Sequence, residues 1–449
     1  MSLYTWLVSN ALFPLHERLK GHTSVAVMRE MERTQWLPPE GLAEYQLQRL
    51  RAFLIRVGRD VPYYRELFKS LQFEPEAVSS LADLQRLPVT GKAIIRANMD
   101  ALTAVNSGPL ERFSTGGSSG EPLIFYRGKE RVSHDVAAKW RATRWWGVDI
   151  GDPEIVVWGS PIELNSQDRV RLVRDSVLRT QLLSAFEMSK ANLLHFTQTI
   201  RKVKPRMLFG YPSSLALMAQ YCQSNGYKVD DLGIKVVFVT SERLYDHQQK
   251  MIEEVFGCPV ANGYGGRDAG FIAHACPEGS MHITSEDIIV EIVDEQGAVL
   301  PSGEKGEIVV THLSTGDFPF VRYRTGDVGS LSDTLCACGR SLPVLAEIEG
   351  RTTDFVKAAD GTVLHGLAFI YVLREFPQVE QFKIIQETVT RITVQIVVPG
   401  ADRAEIEKVV TEQFKRRLGD SLVVTFDYVS KIEREASGKF RYVVSKIAD

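Results

Sequence analysis

Apolar residues near the start of the chain recur every three or four positions, which is the spacing of an amphipathic helix. The clearest case is QLQRLRAFLIR at 46–56, inside a segment from about 25 to 71 that we predict to be helical. The earlier run LYTWLVSNALFPL is also apolar, but it is short and contains Ser9 and Asn10. We expect it to form a helix packed on the body of the protein, with a membrane-surface contact as the alternative.

Further along the chain, short β-branched runs alternate with longer periodic ones. EIVVWGS (154–160) and IKVVFVTSE (234–242) lack polar alternation, as strands buried on both faces of a parallel sheet do. Ser213–Gln223 and Asp246–Phe256 have helical periodicity. This alternation predicts an α/β domain. From about 284 to 330, short β segments separated by Gly, Pro and Asp predict an attached β-rich subdomain.

A domain boundary is predicted near Gly350-Arg351. Residues 351–449 read as a small α+β domain with the order ββαββαβ, in which a hairpin around Asp360-Gly361 comes first and a helix spans Ala404–Leu418. The predicted fold class is therefore α/β. It comprises a large multi-layer N-terminal α/β domain with a β-rich subdomain (1–350) and a small mobile C-terminal α+β lid (351–449).

Length, composition and charge narrow the class of protein. A chain of 449 residues is too long for one core, and 44% hydrophobic with 24% charged residues is typical of a soluble globular protein. A net charge of −3 argues against a nucleic-acid-binding surface. No apolar run approaches the roughly 20 residues of a transmembrane helix. We expect a cytoplasmic protein with small-molecule partners, and the sequence leaves a homodimer open.

The segment RFSTGGSSGEP (112–122) concentrates glycines and hydroxyl residues in one loop. It is not a Walker A loop, because Glu121-Pro122 follows the last glycine, and the G-x-G-x-x-G spacing of a dinucleotide site is absent. Taken alone, it is either a plain turn or a loop that wraps an anion with backbone N–H groups and short hydroxyls.

Six motifs decide between these interpretations by their order along the chain. They are STGGSSGEP (114–122), TSERL (240–244), NGYGGRDAG (262–270), YRTGD (323–327), GRTTD (350–354) and REASGKFR (434–441). In this order the sequence resembles the adenylate-forming ligases, and within them the branch of phenylacetate–CoA ligases and capsule-biosynthesis ligases. The resemblance extends from about residue 85 to the C-terminus.

The resemblance implies ATP and Mg²⁺ as cofactors, a carboxylic acid as substrate and CoA as acceptor. It implies catalytic roles for Lys439, Asp268 and Arg267. It further implies that the nucleotide is bound by Ser114, Thr115, Gly116, Gly117, Ser118, Ser119, Ser241, Glu242, Asn262, Gly263, Tyr264, Gly265, Asp327 and Arg351. Tyr264 would pack against the adenine, Asp327 would accept hydrogen bonds from the ribose hydroxyls, and Lys439 would approach the α-phosphate.

Two of the motifs depart from the family pattern. Arg267-Asp268 stands where Thr-Glu is common, so the carboxylate that contacts Mg²⁺ is one methylene shorter and metal placement could differ. Thr353 stands where the hinge usually has an acidic residue, which leaves the details of domain rotation open.

Three of the five cysteines, together with one histidine, form a pattern that suggests a metal. Cys276 and His282 form one pair, and Cys336 and Cys338 form another. Three thiols and one imidazole make a closed tetrahedral set of the structural Zn²⁺ type. His274 is a competing ligand, and three buried thiols beside a surface histidine are the alternative without metal. Some members of the resembled branch have a Cys/His zinc site here.

The sequence thus predicts an AMP-forming acid–CoA ligase. Transfer of the acyl group to an amine, such as an amino sugar in surface-polysaccharide assembly, is the first alternative. An inactive nucleotide-binding scaffold is the second. Trp158, Phe209, Tyr211 and Pro212 lie where the walls of an acid pocket are expected, which favours an aromatic or hydrophobic acid.

Overall fold

The computed structural model describes residues 2–115, 123–159, 169–185, 187–349, 355–376, 378–398, 403–432 and 442–447. The chain forms two compact units. The first unit comprises Met1–Gly116, Leu123–Asp152 and Ala261–Gly350, and the second comprises Gly117–Pro122, Pro153–Val260 and Arg351–Asp449. The division predicted from the sequence, 1–350 and 351–449, stays a prediction.

The first unit begins with helices. They are α1 (Leu3–Leu7), a π-helical turn (Val8–Leu12), α2 (Phe13–Lys20), α3 (Ser24–Thr34), α4 (Pro39–Asp60), α5 (Pro62–Leu71), 3₁₀ turns at Pro75–Ala77 and Leu81–Arg86, α6 (Lys92–Ala97) and α7 (Lys129–Arg144). The helices predicted over 25–71 are confirmed. The N-terminal apolar run is helical, as expected, and buries Thr5, Val8, Ser9 and Phe13.

The strands of the first unit form an antiparallel sheet and a small hairpin. The hairpin is β1 (Glu111–Ser114) with β2 (Ile124–Arg127). The sheet strands are β8 (Val260–Gly266), β9 (Gly270–Ala275), β10 (Met281–Ile283), β11 (Ile288–Val293), β12 (Gly306–His312), β13 (Phe320–Ser332) and β14 (Val344–Glu349), in the order β11-β12-β13-β14-β10-β9-β8. Phe125, Phe320 and Tyr323 lie in the hydrophobic core that this sheet shares with α4 and α5.

The second unit contains the predicted parallel sheet. Its strands β3 (Glu154–Trp158), β4 (Thr180–Ser184), β6 (Met207–Gly210) and β7 (Val236–Thr240) pair in parallel in the order β7-β6-β3-β4. The helices between them are α8 (Arg169–Leu178), α9 (Lys190–Val203), α10 (Pro212–Ser224) and α11 (Asp246–Phe256). Both strands and both helices predicted here are confirmed, because β-branched runs buried on two faces give a clear local pattern.

The C-terminal residues of the second unit form two sheets. One comprises β5 (Glu187–Met188), β15 (Phe355–Lys357) and β16 (Val363–His365). The other has β17 (Gln381–Thr388), β18 (Arg391–Val397), β19 (Val423–Tyr428) and β20 (Val443–Ser445), together with helices α12 (Leu367–Arg374) and α13 (Arg403–Leu418). The predicted order ββαββαβ is present. It is followed by one further strand, β20, which was not predicted and which pairs in parallel with β17.

No helix in the described part of the chain combines the length and the apolar character that crossing a bilayer requires.

A buried ion pair crosses the core of the first unit. Arg141 of α7 is only 1% exposed, and its Nη1 donates to Oε1 of Glu286 at 2.6 Å. The Thr34 hydroxyl donates to the same oxygen at 3.0 Å. Burial raises the pKa of the Glu286 carboxyl above its ordinary value, and Arg141 opposes that rise. The negative charge of the buried Glu286 carboxylate is therefore balanced by the Arg141 guanidinium.

Replacing this arginine should be strongly destabilising. Arg141→Met should lower the free energy of unfolding by about 3–5 kcal/mol, because it leaves a buried carboxylate without its cation. The matched control is Arg33→Met, which removes a surface pair with Glu30 and should leave the melting temperature nearly unchanged. Equal melting temperatures for the two variants would contradict the assignment.

Candidate functional site

The motif NGYGGRDAG forms the turn of the hairpin β8–β9. A Cβ atom on Gly265 would lie 2.2 Å from the carbonyl oxygen of Gly270, so the two strands approach too closely for any side chain there. Gly270 has φ +83°, and a Cβ there would come within 2.8 Å of Nε2 of His312. These glycines let the hairpin close and present the turn residues Arg267 and Asp268.

The buried side chain of Arg131 fixes this turn through hydrogen bonds to its backbone. Nη1 of Arg131 donates to the backbone carbonyl of Asp268 at 2.9 Å, and Nη2 donates to that of Arg267 at 3.2 Å. Its Nε donates to Asp135, one helical turn further along α7, at 3.2 Å. Burial alone would raise the pKa of Asp135, but Arg131 and His312 hold it below its ordinary value. The charged Asp135 thus orients the guanidinium that fixes the turn.

Two motifs exchange tyrosine–aspartate hydrogen bonds. The hydroxyl of Tyr264 donates to Oδ2 of Asp327 at 3.1 Å. The hydroxyl of Tyr323 donates to Oδ2 of Asp268 at 2.6 Å. Both motifs have the spacing Tyr-x₃-Asp. The tyrosine of each motif donates to the aspartate of the other. The structure therefore brings together three predicted site residues, because Asp327 lies about sixty residues from Tyr264 and Asp268 in the sequence.

Other predicted nucleotide contacts lie on the strands of the same unit. Asn262 and Gly263 belong to β8, and the Asn262 amide contacts Sδ of Met281 at 3.7 Å. Ser114 ends β1, and Thr115 follows it. The Thr115 hydroxyl accepts from the N–H of Leu123 at 2.9 Å, so it closes the base of the glycine-rich loop. Gly116, Gly117, Ser118 and Ser119 of that loop lie outside the described residues, as do Arg351 and Lys439.

In the second unit, the segment TSERL follows the carboxyl end of β7. Ser241 adopts φ +73°, a conformation that is rare for a residue with a side chain. Glu242 accepts hydrogen bonds from the hydroxyl and, at 3.4 Å, from the backbone N–H of Ser213 in the first turn of α10. The positive φ of Ser241 is a strained conformation. Backbone strain of this kind is maintained only where the surrounding structure fixes the loop, and it is common at binding sites.

Aromatic side chains gather at the carboxyl ends of β3 and β6. The rings of Trp158 and Tyr211 stack with their centroids 4.3 Å apart, and Phe209 lies 5.9 Å from Trp158. Tyr211 and Phe209 are buried, whereas Trp158 is half-buried. Ligands of open α/β sheets bind outside the carboxyl ends of the strands, so these rings lie where a substrate pocket is expected.

The four predicted metal ligands meet in one cluster. The ligand atoms of Cys276, His282, Cys336 and Cys338 all lie within 4.8 Å of one another. Sγ of Cys276 is 3.6 Å from Sγ of Cys336, far longer than a disulfide of about 2.05 Å. It is close to the separation of about 3.8 Å between two thiolates on a tetrahedral Zn²⁺ with bonds of about 2.3 Å.

Tight turns and a fixed imidazole tautomer support this cluster. Cys276 and Cys336 each begin a turn in which the N–H of the glycine three residues later donates to the cysteine carbonyl. Nδ1 of His282 lies 2.9 Å from the carbonyl of Leu342, which can only accept, so Nδ1 bears the hydrogen and Nε2 is left with its lone pair. That Nε2 lies 3.2 Å from Sγ of Cys338.

The cluster offers one neutral imidazole and three thiols. Burial raises the pKa of the Cys276 thiol to about 12 and lowers the pKa of His282, whereas for Cys336 burial is outweighed by hydrogen bonds from its neighbours, which lower the pKa. A neutral imidazole is the form that binds metal, but a buried thiol becomes a thiolate only beside a positive charge. His274, the competing ligand, is buried against Phe271 and lies outside the cluster. The donor set therefore fits Zn²⁺.

Sequence reasoning missed the supporting residues. Tyr323 lies inside the YRTGD motif, and the Tyr-x₃-Asp spacing that it shares with Tyr264 and Asp268 was a signal that could have found it. Arg131 gave no such signal, because its acceptors are backbone carbonyls that any residue provides.

Comparison with known proteins agrees with this geometry. Residues 184–315 match the AMP-binding enzyme family, and residues 356–446 match the CapK C-terminal domain. The chain is 25% identical to protein CapK of Staphylococcus aureus, over 90% of both chains. It is 25% identical to a phenylacetate-coenzyme A ligase of Thermus thermophilus, over 92% of this chain and 91% of that one.

The fold is also that of a solved ligase. A structure of 2-hydroxyisobutyryl-CoA ligase, in complex with 2-HIB-AMP and CoA, matches with a TM-score of 0.66 at 21% identity, over 92% of this chain and 91% of that one. Sequence relatives and fold thus lead to the same assignment as the six ordered motifs. The chain belongs to the adenylate-forming superfamily, in the branch of CapK and the phenylacetate-coenzyme A ligases.

Proposed function

We propose that this protein is an ATP-dependent acid ligase that forms an acyl- or aryl-adenylate and transfers the acyl group to CoA. The observation that carries the proposal is the exchange of hydrogen bonds between Tyr264 and Asp327 and between Tyr323 and Asp268. It gathers an aromatic ring and two carboxylates at one place. Relatives named phenylacetate-coenzyme A ligase, and a ligase structure that holds an acyl-AMP and CoA, support the same activity.

The roles of these residues follow from the charges in the reaction. A carboxylate oxygen of the acid attacks the α-phosphorus of ATP, and the bond to pyrophosphate breaks. Asp327 would accept from the ribose hydroxyls, while the Tyr264 ring would cover the adenine. Asp268 is a hard oxygen donor suited to Mg²⁺, and Tyr323 orients it. Bound Mg²⁺ would supply compensation for the phosphate charge.

Positive charge and backbone donors complete the proposed site. Arg267 lies next to Asp268 in the fixed turn, where its guanidinium can approach a phosphate. Residues 116–119 of the glycine-rich loop and Lys439, all outside the described residues, would supply N–H donors and a cation to the α-phosphate. Such groups catalyse by positioning the reactants and by stabilising the charge of the transition state, because the protein does little covalent chemistry in this reaction.

For the acid, we propose an aromatic or hydrophobic substrate. The stacked rings of Trp158 and Tyr211 offer an apolar, rigid wall beside the carboxyl ends of the parallel strands. The relatives named phenylacetate-coenzyme A ligase are consistent with this class.

A pyrophosphate-release assay tests the activity. Purified protein with ATP and Mg²⁺ should release pyrophosphate with an aromatic or hydrophobic acid, and CoA should raise the turnover by removing the adenylate. If no acid in a panel of aromatic and aliphatic acids gives ATP-dependent release, the enzyme proposal fails and the inactive scaffold remains. Release that CoA does not stimulate, but an amine does, would favour the amine acceptor, for which the CapK match gives a reason.

The two half-reactions separate the roles of Lys439 and Asp327. Lys439→Ala should lower adenylate formation from acid and ATP by several orders of magnitude, because its charge is needed in that transition state. Conversion of a supplied acyl-adenylate with CoA to the thioester should survive nearly intact, since the lid is expected to rotate between the steps. Asp327→Ala, which removes ribose binding, should impair both. Equal loss of both half-reactions in Lys439→Ala would refute its assignment.

We further propose that Cys276, His282, Cys336 and Cys338 hold a structural Zn²⁺. The set is closed, with four protein ligands and no position left for a substrate, so the ion would stabilise the fold instead of taking part in the reaction. It would join the end of β9 and the start of β10 to the segment before β14.

Metal analysis should find about one zinc per chain. Structural Zn²⁺ contributes on the order of 10 kcal/mol, so Cys336→Ser should abolish zinc binding and cause misfolding or a large drop in melting temperature. Cys258→Ala is the matched control, because that cysteine lies outside the cluster, and it should retain zinc. Zinc-free protein of unchanged melting temperature would refute the site.

A further inference from the structure

The N-terminal helical segment, residues 3–20, has polar side chains inside and an apolar row outside. Three of its five buried side chains are polar, namely Thr5, Ser9 and Glu17. The outward row consists of Leu3, Trp6, Leu7, Leu12, Leu15 and Leu19, and Leu3 and Leu19 are 84% and 80% exposed. A helix that only packs on its own domain faces the opposite way.

Specific hydrogen bonds hold the polar side inward. The Thr5 hydroxyl donates to Asp152 at 2.8 Å, and the Ser9 hydroxyl donates to Asp149 at 3.1 Å. Glu17 accepts from the Ser24 hydroxyl at 2.5 Å. Turning the segment to bury its leucines would break these three hydrogen bonds and expose the buried Val8 and Phe13. The apolar row therefore stays at the surface.

The π-helical turn Val8–Leu12 keeps this row continuous. In the α-helical parts, Leu3 and Leu7 are four residues apart, and Leu12, Leu15 and Leu19 follow at steps of three and four. The step from Leu7 to Leu12 is five residues, and there the N–H of Phe13 donates to the carbonyl of Val8, five residues back. A π-helical turn places residues five apart on one face, so both halves present a single stripe.

The exposed charges beside the stripe are basic. Between residues 2 and 20 the charged side chains are Glu17, which is buried, and Arg18 and Lys20, which are exposed. Lys129 joins them, since a Cβ on Gly21 would lie 2.9 Å from its Nζ. An apolar stripe with a tryptophan and flanking cations is the pattern of helices that lie in the interface of an anionic bilayer.

We propose that this stripe binds the surface of an anionic lipid bilayer, with the segment lying in the plane of the membrane. Charge complementarity favours lipid over a second copy of the chain, which would bring the same cations to the contact. A stable protein interface also uses about 20–30 residues on each side, whereas this stripe belongs to one helical segment. The proposal is independent of the acid-ligase activity.

Vesicle co-sedimentation tests it. The protein should sediment with vesicles of phosphatidylcholine and phosphatidylglycerol, and less with phosphatidylcholine alone or at high salt. Leu15→Glu/Leu19→Glu should reduce binding by more than about tenfold. Arg18→Gln/Lys20→Gln should weaken binding about fivefold per cation lost. Because all four side chains are exposed or nearly so, the melting temperatures should not change.

The matched control introduces two glutamates at exposed apolar positions elsewhere on the protein. Leu71→Glu/Val423→Glu replaces two exposed apolar residues outside the stripe and should bind vesicles like the unchanged protein. Failure of the unchanged protein to sediment with anionic vesicles would overturn the proposal. A dimer in light scattering that Leu15→Glu/Leu19→Glu converts to a monomer, without vesicle binding, would make the stripe an interface between copies. If that variant melts early, Arg18→Gln/Lys20→Gln decides.

Discussion

The candidate nucleotide site depends on two hydrogen bonds between the motifs NGYGGRDAG and YRTGD, in which the tyrosine of each motif donates to the aspartate of the other. Asp268 is held by Tyr323, and Asp327 is held by Tyr264, so neither acid can move without losing a bond to the other motif. Each hydroxyl donates to a carboxylate oxygen within hydrogen-bonding distance, which fixes the orientation of both acids. Two segments about sixty residues apart in sequence thus become one rigid surface.

The hairpin β8–β9 links this surface to the proposed metal cluster. Its turn holds Arg267 and Asp268, and its far end leads directly into Cys276. Arg131 fixes the turn through two backbone carbonyls, while the cluster would fix the other end through a thiolate. Trp145 packs edge-to-face on His282 with centroids 5.8 Å apart and lies below the guanidinium of Arg141. A strand held at both ends moves little, which is what positional catalysis requires.

Much of the fold could be predicted because its signals are local. The runs at 154–160 and 234–242 are β-branched and became parallel strands. The last of the short β segments predicted between 284 and 330, GDVGSLS (326–332), is not a separate strand but the second half of β13, since Gly326 at φ +79° interrupts the pattern without ending the strand. The cluster of three thiols and one imidazole could be predicted because these groups are scarce in the sequence. Arg131 could not, because a side chain that acts on backbone carbonyls has no sequence partner to reveal it.

The N-terminal segment shows a further limit of periodicity. A helical pattern of apolar and polar residues states that two faces differ, but not which of them is buried. Here Thr5 and Ser9 face inward, where their hydroxyls donate to Asp152 and Asp149, two acids that lie more than a hundred residues away. The buried side also includes the apolar Val8 and Phe13, so burial follows the tertiary contacts of the segment and not its number of leucines. The exposed leucines are therefore a consequence of these contacts, and they become available for a surface outside the protein.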